Sequence, residues 1–177
     1  MESVNSNQIE ENHTNLIGDE AIEKMRNLID KSGSCFFCTS TLMNKVNGSP
    51  MSVQKSDANG DLWFLSSKDS PKNLEIGQGS EVTLYFQGSA HSDFLELKGK
   101  AIISYDKDRI KELWDPMQRS WFKDGLDDPT ISVIQFETES GYYWDNEHGN
   151  TIAGIKLLFG IITGRNTDDT EEGYLKI

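Results

Sequence analysis

The sequence predicts an α+β fold, an antiparallel β-barrel with helices at its periphery. Two observations carry this prediction. Short runs of β-prone and apolar residues alternate with turn residues along most of the chain, which is typical of antiparallel strands joined by hairpins. Three helical segments fall between these runs rather than after every strand, so the pattern does not indicate repeated βαβ units. Many short strands with few helices favour a barrel.

The predicted elements begin at residue 19. Asp19 is a candidate N-cap for a first helix, which Ser32-Gly33 ends and whose apolar residues follow the i, i+3, i+4, i+7 rule. Asn59-Gly60 is a strong hairpin signal. Asp106 is expected to cap a last helix through Trp114. We expect strands at 34–42, 50–56, 61–66, 81–88, 92–105, 131–137 and 140–145, with a further helix near 70–78.

The chain is expected to divide into three parts. Residues 1–18 are polar and are predicted to form a flexible N-terminal tail, and residues 19–165 one barrel domain. Residues 166–177 are predicted to form an acidic C-terminal tail, in which 174–177 could be a short strand. A chain of 177 residues has the usual length of one domain with a real core.

Charge and composition argue against several classes of function. Seventeen basic and 29 acidic residues give a net charge of −12, and such a field repels nucleic acid. One local cationic pocket still suffices for a small phosphorylated ligand. The apolar run 152–163 is shorter than the roughly 20 residues that span a bilayer, and residues 1–18 lack the apolar core of a signal peptide. We therefore expect a cytoplasmic protein without a membrane segment.

Cys35 and Cys38 form a CxxC pair, which raises the hypotheses of a redox dithiol or half a zinc site. Zinc needs four ligands, and the three histidines, His13, His91 and His148, have no ligand spacing. Residues three apart in a strand face opposite sides, which opposes both a disulfide and a shared metal. We interpret the pair as two small residues of a strand and predict no metal site.

A cluster of hydroxyl and ammonium groups follows the third predicted strand. It consists of Ser66, Ser67, Lys68, Ser70 and Lys72, and Pro71 among them is well placed to begin a helix. A helix N-terminus offers a phosphate its backbone N–H groups, and the lysines add counter-charge. Taken by themselves, these residues indicate an anion site, with a solvated helix start as the alternative.

Several motifs in a fixed order resemble the pyridoxamine 5'-phosphate oxidase-like FMN-binding split barrels, most closely their general stress protein branch. They are PMSVQ (50–54) with G-x-L-W-F and S-x-K-x-S-x-K after it, SDFLELKGKA (92–101), KELW (111–114), WFKDGLDDP (121–129) and YYWD (142–145). The resemblance covers residues 20 to 165. It implies an antiparallel split β-barrel with peripheral helices that binds FMN and forms a homodimer.

The resemblance also implies which residues contact FMN. The flavin ring is expected beside the strand Met51, Ser52, Val53 and Gln54, and next to Phe64, Leu65 and Ser66 of the second strand. The phosphate is expected at Ser70 and Lys72, with Lys68 as a second cation. Trp121, with Phe122 after it, is a candidate contribution from the second subunit, plain packing being the alternative.

Ser49 departs from the family pattern. Members usually carry an arginine directly before the Pro-Met pair, where its side chain binds the phosphate. A hydrogen bond to a charged group contributes roughly 1.5–3 kcal/mol. Losing that arginine is therefore expected to weaken FMN binding about ten- to a hundredfold.

No arrangement of side chains in the sequence indicates a catalyst carried by the protein itself. If the protein is an enzyme, FMN carries the redox chemistry and NAD(P)H is one candidate electron donor. Gln54 stands where true pyridoxamine phosphate oxidases have a lysine, which argues against vitamin B6 oxidation. We predict a stress-related, FMN-dependent oxidoreductase of unknown substrate. The alternatives are a flavin-binding or flavin-sequestering module without turnover, and a dimeric scaffold that has lost flavin.

Overall fold

The computed structural model describes residues 13–40, 46–78, 81–90, 93–146 and 170–177. Its strands are β1 (Leu16–Ile17), β2 (Ser34–Ser40), β3 (Val46–Ser52), β4 (Lys55–Ser56), β5 (Leu62–Ser67), β6 (Glu81–Gln87), β7 (Phe94–Ser104), β8 (Ile131–Asn146) and β9 (Thr170–Lys176). Its helices are α1 (Asp19–Ser32), α2 (Pro71–Gln78) and α3 (Lys107–Leu113), followed by 3-10 helices at Pro116–Ser120 and Gly125–Asp127. No helix within these ranges is long and apolar enough to cross a bilayer.

The strands form one bent sheet in the order β1-β9-β8-β7-β6-β2-β3, and every pair except β1–β9 is antiparallel. The sheet branches at β8, whose first half also pairs with β5, while β5 pairs with β4. Within the described ranges β3 does not pair with β4 or β5, so the barrel stays open there. The predicted antiparallel split β-barrel is confirmed.

The main core fills the inside of the barrel, and the period-2 pattern of the strands explains its composition. In β6, for example, Val82, Leu84 and Phe86 are buried while the residues between them are partly or fully exposed. Helix α1 packs its apolar stripe, which includes Met25 and Leu28, against this core.

A second, smaller core lies on the outer side of β5, where α3 and Phe122 pack. Leu65 of β5 contributes to it, together with Trp63, Ile110, Leu113, Phe122, Ile131 and Val133. Strand β5 is therefore buried on both faces, which explains why its sequence is a continuous apolar run instead of an alternating one.

Most of the predicted helix ends and turns are confirmed. Gly33 ends α1 in a left-handed conformation (φ 67°), and the Asp106 carboxylate accepts hydrogen bonds from the first N–H groups of α3. The Asn59-Gly60 turn forms between β4 and β5, and Gly60 adopts φ 88°. The predicted cap Asp19 is wrong: Gly18 occupies the N-cap position, and Asp19 is the first helical residue.

The structure differs from the prediction at several strands. The single strand predicted at 50–56 is wrong: the segment contains the end of β3 and the separate β4, because between them the Val53 and Gln54 N–H groups donate to Gly33 and Trp63. The strands predicted at 131–137 and 140–145 are the single strand β8, which absorbs one extra residue at a register shift opposite Gly99. A Cβ atom at Gly99 would lie 2.0 Å from the backbone oxygen of Glu137. Residues 170–176 of the predicted acidic tail form β9, and Leu16–Ile17 of the predicted N-terminal tail forms β1 beside it.

The predictions for residues 1–12, 41–42, 147–169 and His91 lie outside the described residues.

The two cysteines are free and lie in β2, where Cys35 is buried and Cys38 is half-buried. Burial raises the pKa of the Cys35 thiol to about 12, so the thiol is protonated and unreactive at neutral pH. Their placement in one strand agrees with the interpretation as packing residues.

Candidate functional site

A chain of hydrogen bonds ties the beginning of α2 to the end of β5. The Ser66 and Ser70 hydroxyls lie 3.2 Å apart, and Ser70 Oγ donates to Asn73 Oδ1 at 3.0 Å. Asn73 Nδ2 donates to Ser132 Oγ at 2.7 Å, and Ser132 Oγ donates to the Ser66 carbonyl oxygen at 2.9 Å. The structure thus brings the predicted residues Ser66 and Ser70 together. Sequence reasoning missed Asn73 and Ser132, whose only local signal is the Ser-x-x-Asn spacing of a helix start.

A second set of contacts holds α2 against β2 and β3. The Glu75 carboxylate accepts hydrogen bonds from Thr39 Oγ1 on one oxygen and from Asn47 Nδ2 on the other. Asn47 and Ser49 are two residues apart in β3 and therefore project to the same side of the strand. Ser49 thus lies on the side of β3 that faces α2.

Lys72, in the first turn of α2, is a half-buried cation without a counter-ion among the described residues. Burial lowers the pKa of its ammonium group. Glu75 is one turn further on the same helix face, but the two residues form no ion pair, and the Glu75 carboxylate instead accepts hydrogen bonds from Thr39 and Asn47. The ammonium therefore pays a desolvation cost that a bound anion would offset.

Lys68 lies in the loop between β5 and α2, at the edge of the candidate phosphate site. Its side chain is exposed, and its backbone N–H donates to the Thr130 carbonyl oxygen at 2.8 Å. Hydrogen bonds from Thr130, aided by the nearby Lys68 charge, lower the pKa of Asp128. The structure shows no hydrogen bond between Lys68 and the hydroxyl groups of Ser66 or Ser70.

The predicted ring-side residues do not share one surface. Met51 and Val53 are half-buried and pack against the main core, whereas Ser52 is exposed on the other face of β3. Strand β3 ends at Ser52, and the backbone then crosses the opening of the barrel. The Val53 N–H donates to the Gly33 carbonyl oxygen at 3.1 Å, and the Gln54 N–H to that of Trp63 at 2.8 Å.

Gln54 connects this crossing to the first 3-10 helix. Its Nε2 donates to the Ser52 carbonyl oxygen at 3.0 Å, and its Oε1 accepts from Gln118 Nε2 at 2.8 Å. Gln118 was not predicted from the sequence. The hydrogen bond brings the segment that carries Trp121 next to the predicted site.

Phe64 and Leu65 can offer a ligand only their backbone, because both side chains are buried. The Phe64 ring packs edge-to-face on Phe37, with centroids 5.4 Å apart, and Leu65 lies in the second core. On the side away from β8, β5 pairs with β4 only at Leu62 and Trp63. The next residues of β5 thus line the opening of the barrel with backbone N–H and C=O groups.

Trp121 and Phe122 have opposite environments. Trp121 is 80% exposed, whereas Phe122 is 4% exposed and packs near Trp114 in the second core. The hypothesis of a contribution to another subunit therefore survives for Trp121, and Phe122 is a core residue of its own subunit.

The outer face of the sheet carries a row of cross-strand neighbours that we call the outer aromatic row. It runs over β3, β2, β6, β7, β8 and β9 through Pro50, Phe36, Tyr85, Glu96, Tyr142 and Tyr174. Phe36 is 61% exposed, and the rings of Tyr142 and Tyr174 pack with centroids 4.8 Å apart. Glu96 divides the row into two aromatic patches, Phe36 with Tyr85 and Tyr142 with Tyr174, and exposed apolar patches are typical of interaction surfaces.

Comparison with known proteins identifies relatives of this fold. The sequence profile of the family described as pyridoxamine 5'-phosphate oxidase like matches residues 20–168. A curated relative, protein bli-3 of Neurospora crassa, is 23% identical over 124 residues, which cover 65% of this chain and 59% of that protein. The match thus spans little more than half of that relative's length.

Solved structures show the same architecture. A general stress protein 26 candidate from Jannaschia sp. CCS1 superposes with a TM-score of 0.73 at 18% identity, covering 89% of this chain and 99% of that one. A protein from Xanthomonas citri described as a general stress FMN/FAD binding protein has a TM-score of 0.63 at 23% identity, covering 74% and 92%. At these identities the similarity establishes the fold.

Proposed function

We propose that this chain, which belongs to the pyridoxamine 5'-phosphate oxidase-like family, binds FMN and serves as a flavin-dependent oxidoreductase of unknown substrate. The observation that carries the proposal is Lys72, a half-buried cation without a counter-ion among the described residues. It lies at the start of a helix, two positions after Ser70, whose hydroxyl pairs with that of Ser66. The name of the Xanthomonas citri structure, an FMN/FAD binding protein, supports a flavin as the ligand.

The donor set at the start of α2 fits a phosphate. Lys72 supplies its charge and its backbone N–H at the positive end of the helix. The Ser66 and Ser70 hydroxyls already donate along the chain from Ser66 to Ser70 to Asn73, so in this proposal they would turn toward the phosphate when it binds. Lys68 would add a second charge from the edge of the site. Because the core buries Met51 and Val53 in part, Gln54 and the open edge of β5 are the polar groups that would orient the ring.

When bound, the flavin would supply hydride or electron transfer through its ring, with NAD(P)H as a candidate donor. The residues of this chain would hold the phosphate, orient the ring and limit access of water. In this proposal the protein contributes binding and orientation, while the redox chemistry belongs to the cofactor.

The first test is a fluorescence titration of flavin-stripped protein with FMN and with riboflavin. We expect micromolar or tighter binding of FMN and much weaker binding of riboflavin, because only FMN carries the phosphate. Equal affinities would remove the phosphate site from the proposal. Absence of binding by either ligand would contradict flavin binding as a whole.

A second candidate function is a flavin-binding module without turnover, which Ser49 favours because a weaker grip on the phosphate suits exchange. The two functions differ in the rate at which bound flavin is reduced. An oxidoreductase bleaches its flavin with NAD(P)H or another cellular reductant faster than free FMN is bleached. A module without turnover gives the same rate as free FMN with every donor.

Changing Ser49 to arginine is expected to tighten FMN binding about tenfold to a hundredfold, because a charge-assisted hydrogen bond contributes roughly 1.5–3 kcal/mol. Ser49 lies on the side of β3 that faces α2, and the new guanidinium would add a cation there. Fluorescence titration measures the change. Ser49→Gln is the control for side-chain size, because glutamine adds a long polar side chain at the same position without a charge. Asn47, on the same side of β3, is not a suitable control position, because its amide already donates to Glu75. An S49R affinity no higher than that of S49Q would contradict the prediction.

We further expect a homodimer in which the outer aromatic row faces the second subunit. The row crosses six strands, and such a surface is unusual on a monomer that stays soluble by itself. Trp121, exposed and held near Gln54, is the residue proposed to reach the partner's site.

Replacing Tyr85 with lysine is expected to convert this dimer to monomers at micromolar concentration. The substitution replaces an exposed ring of the outer aromatic row with a cation, and the neighbouring Glu96 already pairs with Lys98 at 2.7 Å. The row thus gains a charge that a second subunit would have to desolvate. Light scattering measures the mass. Tyr105→Lys, at an exposed tyrosine off the row, is the control and should leave the mass unchanged. A monomeric unaltered protein would refute the dimer.

A further inference from the structure

The side-chain amide of Gln54 has only one orientation that satisfies both of its neighbours. The Ser52 carbonyl oxygen can only accept a hydrogen bond, so the Gln54 group that faces it must be Nε2. Oε1 of Gln54 then points at Gln118, which must donate through its own Nε2. The opposite orientation would set two acceptor oxygens, Gln54 Oε1 and the Ser52 carbonyl, against each other.

This arrangement leaves one N–H of Gln54 for a ligand. An amide nitrogen carries two hydrogens, and one of them is used by Ser52. Within the part of the chain that the structure describes, no further acceptor for Gln54 Nε2 is found. The residue is partly buried and lies where the backbone crosses the barrel opening, between β3 and β4.

From this geometry we infer that Gln118 is a positioning residue, which holds the Gln54 amide so that its second N–H is presented as a donor to a carbonyl oxygen or ring nitrogen of the bound flavin. The inference rests on the proposed function and goes beyond it, because it assigns the orientation of the ring-side donor to a residue 64 positions further along the chain. Gln118 itself need not touch the flavin.

Gln118→Glu tests this role, because glutamate keeps the shape of glutamine and cannot donate at neutral pH. Whichever way Gln54 then turns, one of its two neighbours faces it with an unmatched acceptor. We expect the Kd for FMN to rise about tenfold at pH 7. Gln118→Met removes the donor without adding a second acceptor, and its Kd should rise only about threefold.

Two further measurements separate positioning from packing and from charge. Met117→Glu places the same negative charge on the exposed side of the same 3-10 helix, so it corrects for repulsion of the FMN phosphate. The absorption bands of bound flavin respond to hydrogen bonds at the ring. They should shift in both Gln118 variants and stay unchanged in Met117→Glu.

A packing role would instead make methionine the more damaging substitution, because glutamate preserves the shape of the side chain. The inference is overturned if Gln118→Glu binds FMN as tightly as Met117→Glu, or if the bands of bound flavin do not shift. In either case the unaltered protein still binds FMN and the proposed function stands. If the unaltered protein does not bind FMN, the proposed function and this inference both fail.

Discussion

Replacing Phe37 with alanine is expected to lower the free energy of unfolding by about 3–5 kcal/mol, the usual cost of truncating a buried aromatic residue. The Phe37 side chain is completely buried in the main core and packs edge-to-face on Phe64. The barrel cannot collapse easily onto the cavity, because strands β2 and β5 are both held by pairing with neighbouring strands. Denaturant titration at a fixed protein concentration measures the loss.

The adjacent residue provides a matched control. Phe36→Ala makes the same chemical change one position away, on the exposed face of the same strand, and should cost less than about 1 kcal/mol within one subunit. Equal losses at the two positions would mean that the two faces of β2 are assigned wrongly. A loss at Phe36 that varies with protein concentration would report on subunit contacts of the outer aromatic row.

Replacing Lys72 with methionine is expected to change binding and stability in opposite directions. The affinity for FMN should fall at least tenfold, because a charge-assisted contact to the phosphate is lost. The melting temperature of the ligand-free protein should stay the same or rise. Methionine fills a similar volume and does not carry the charge that burial makes costly at this position.

The cost of the Lys72 charge also has a defined pH dependence. Since burial lowers its pKa in the folded protein, the unfolded chain binds more protons between that lowered pKa and the ordinary value of 10.5. The cost is therefore fully present below the lowered pKa and is relieved as the pH rises through this window. The difference in stability between Lys72→Met and the unaltered protein should narrow over the same range.

Lys68→Met is the control for this pair of effects, because Lys68 is an exposed lysine four residues earlier. It should change the melting temperature little and weaken FMN binding less than Lys72→Met does. If Lys72→Met binds FMN like the unaltered protein, the phosphate site at the start of α2 is wrong.

Local signals were enough to predict most of the elements. Pro71 and Gly33 mark helix ends through the conformations that their own backbones favour, and Asp106 caps α3 through contacts two and three residues away. The alternation of β6 follows from the period of a strand. Each of these signals acts over a few residues, so it can be interpreted without the rest of the fold.

The ends of the sheet could not be predicted in this way. Thr170–Lys176 looks like an acidic tail, because its glutamates have no visible partner in the sequence. In the structure Glu171 pairs with Lys24 at 3.1 Å, and Leu175 is buried against the core. Gly173 allows Thr14 to approach so closely that a Cβ atom would lie 1.8 Å from its backbone oxygen.

The candidate site likewise combines residues that local signals identify with residues that only long-range contacts bring together. The sequence by itself determined the cluster from Ser66 to Lys72, since its hydroxyls and ammonium groups are neighbours along the chain and Pro71 predicts the helix that follows. Only the tertiary structure decided that Ser132 fixes this cluster, that Glu75 is already occupied and that Gln118 orients Gln54. These contacts join residues that are 28 to 66 positions apart. Nothing in the local sequence marks such partners, because the folding of the barrel alone brings them together.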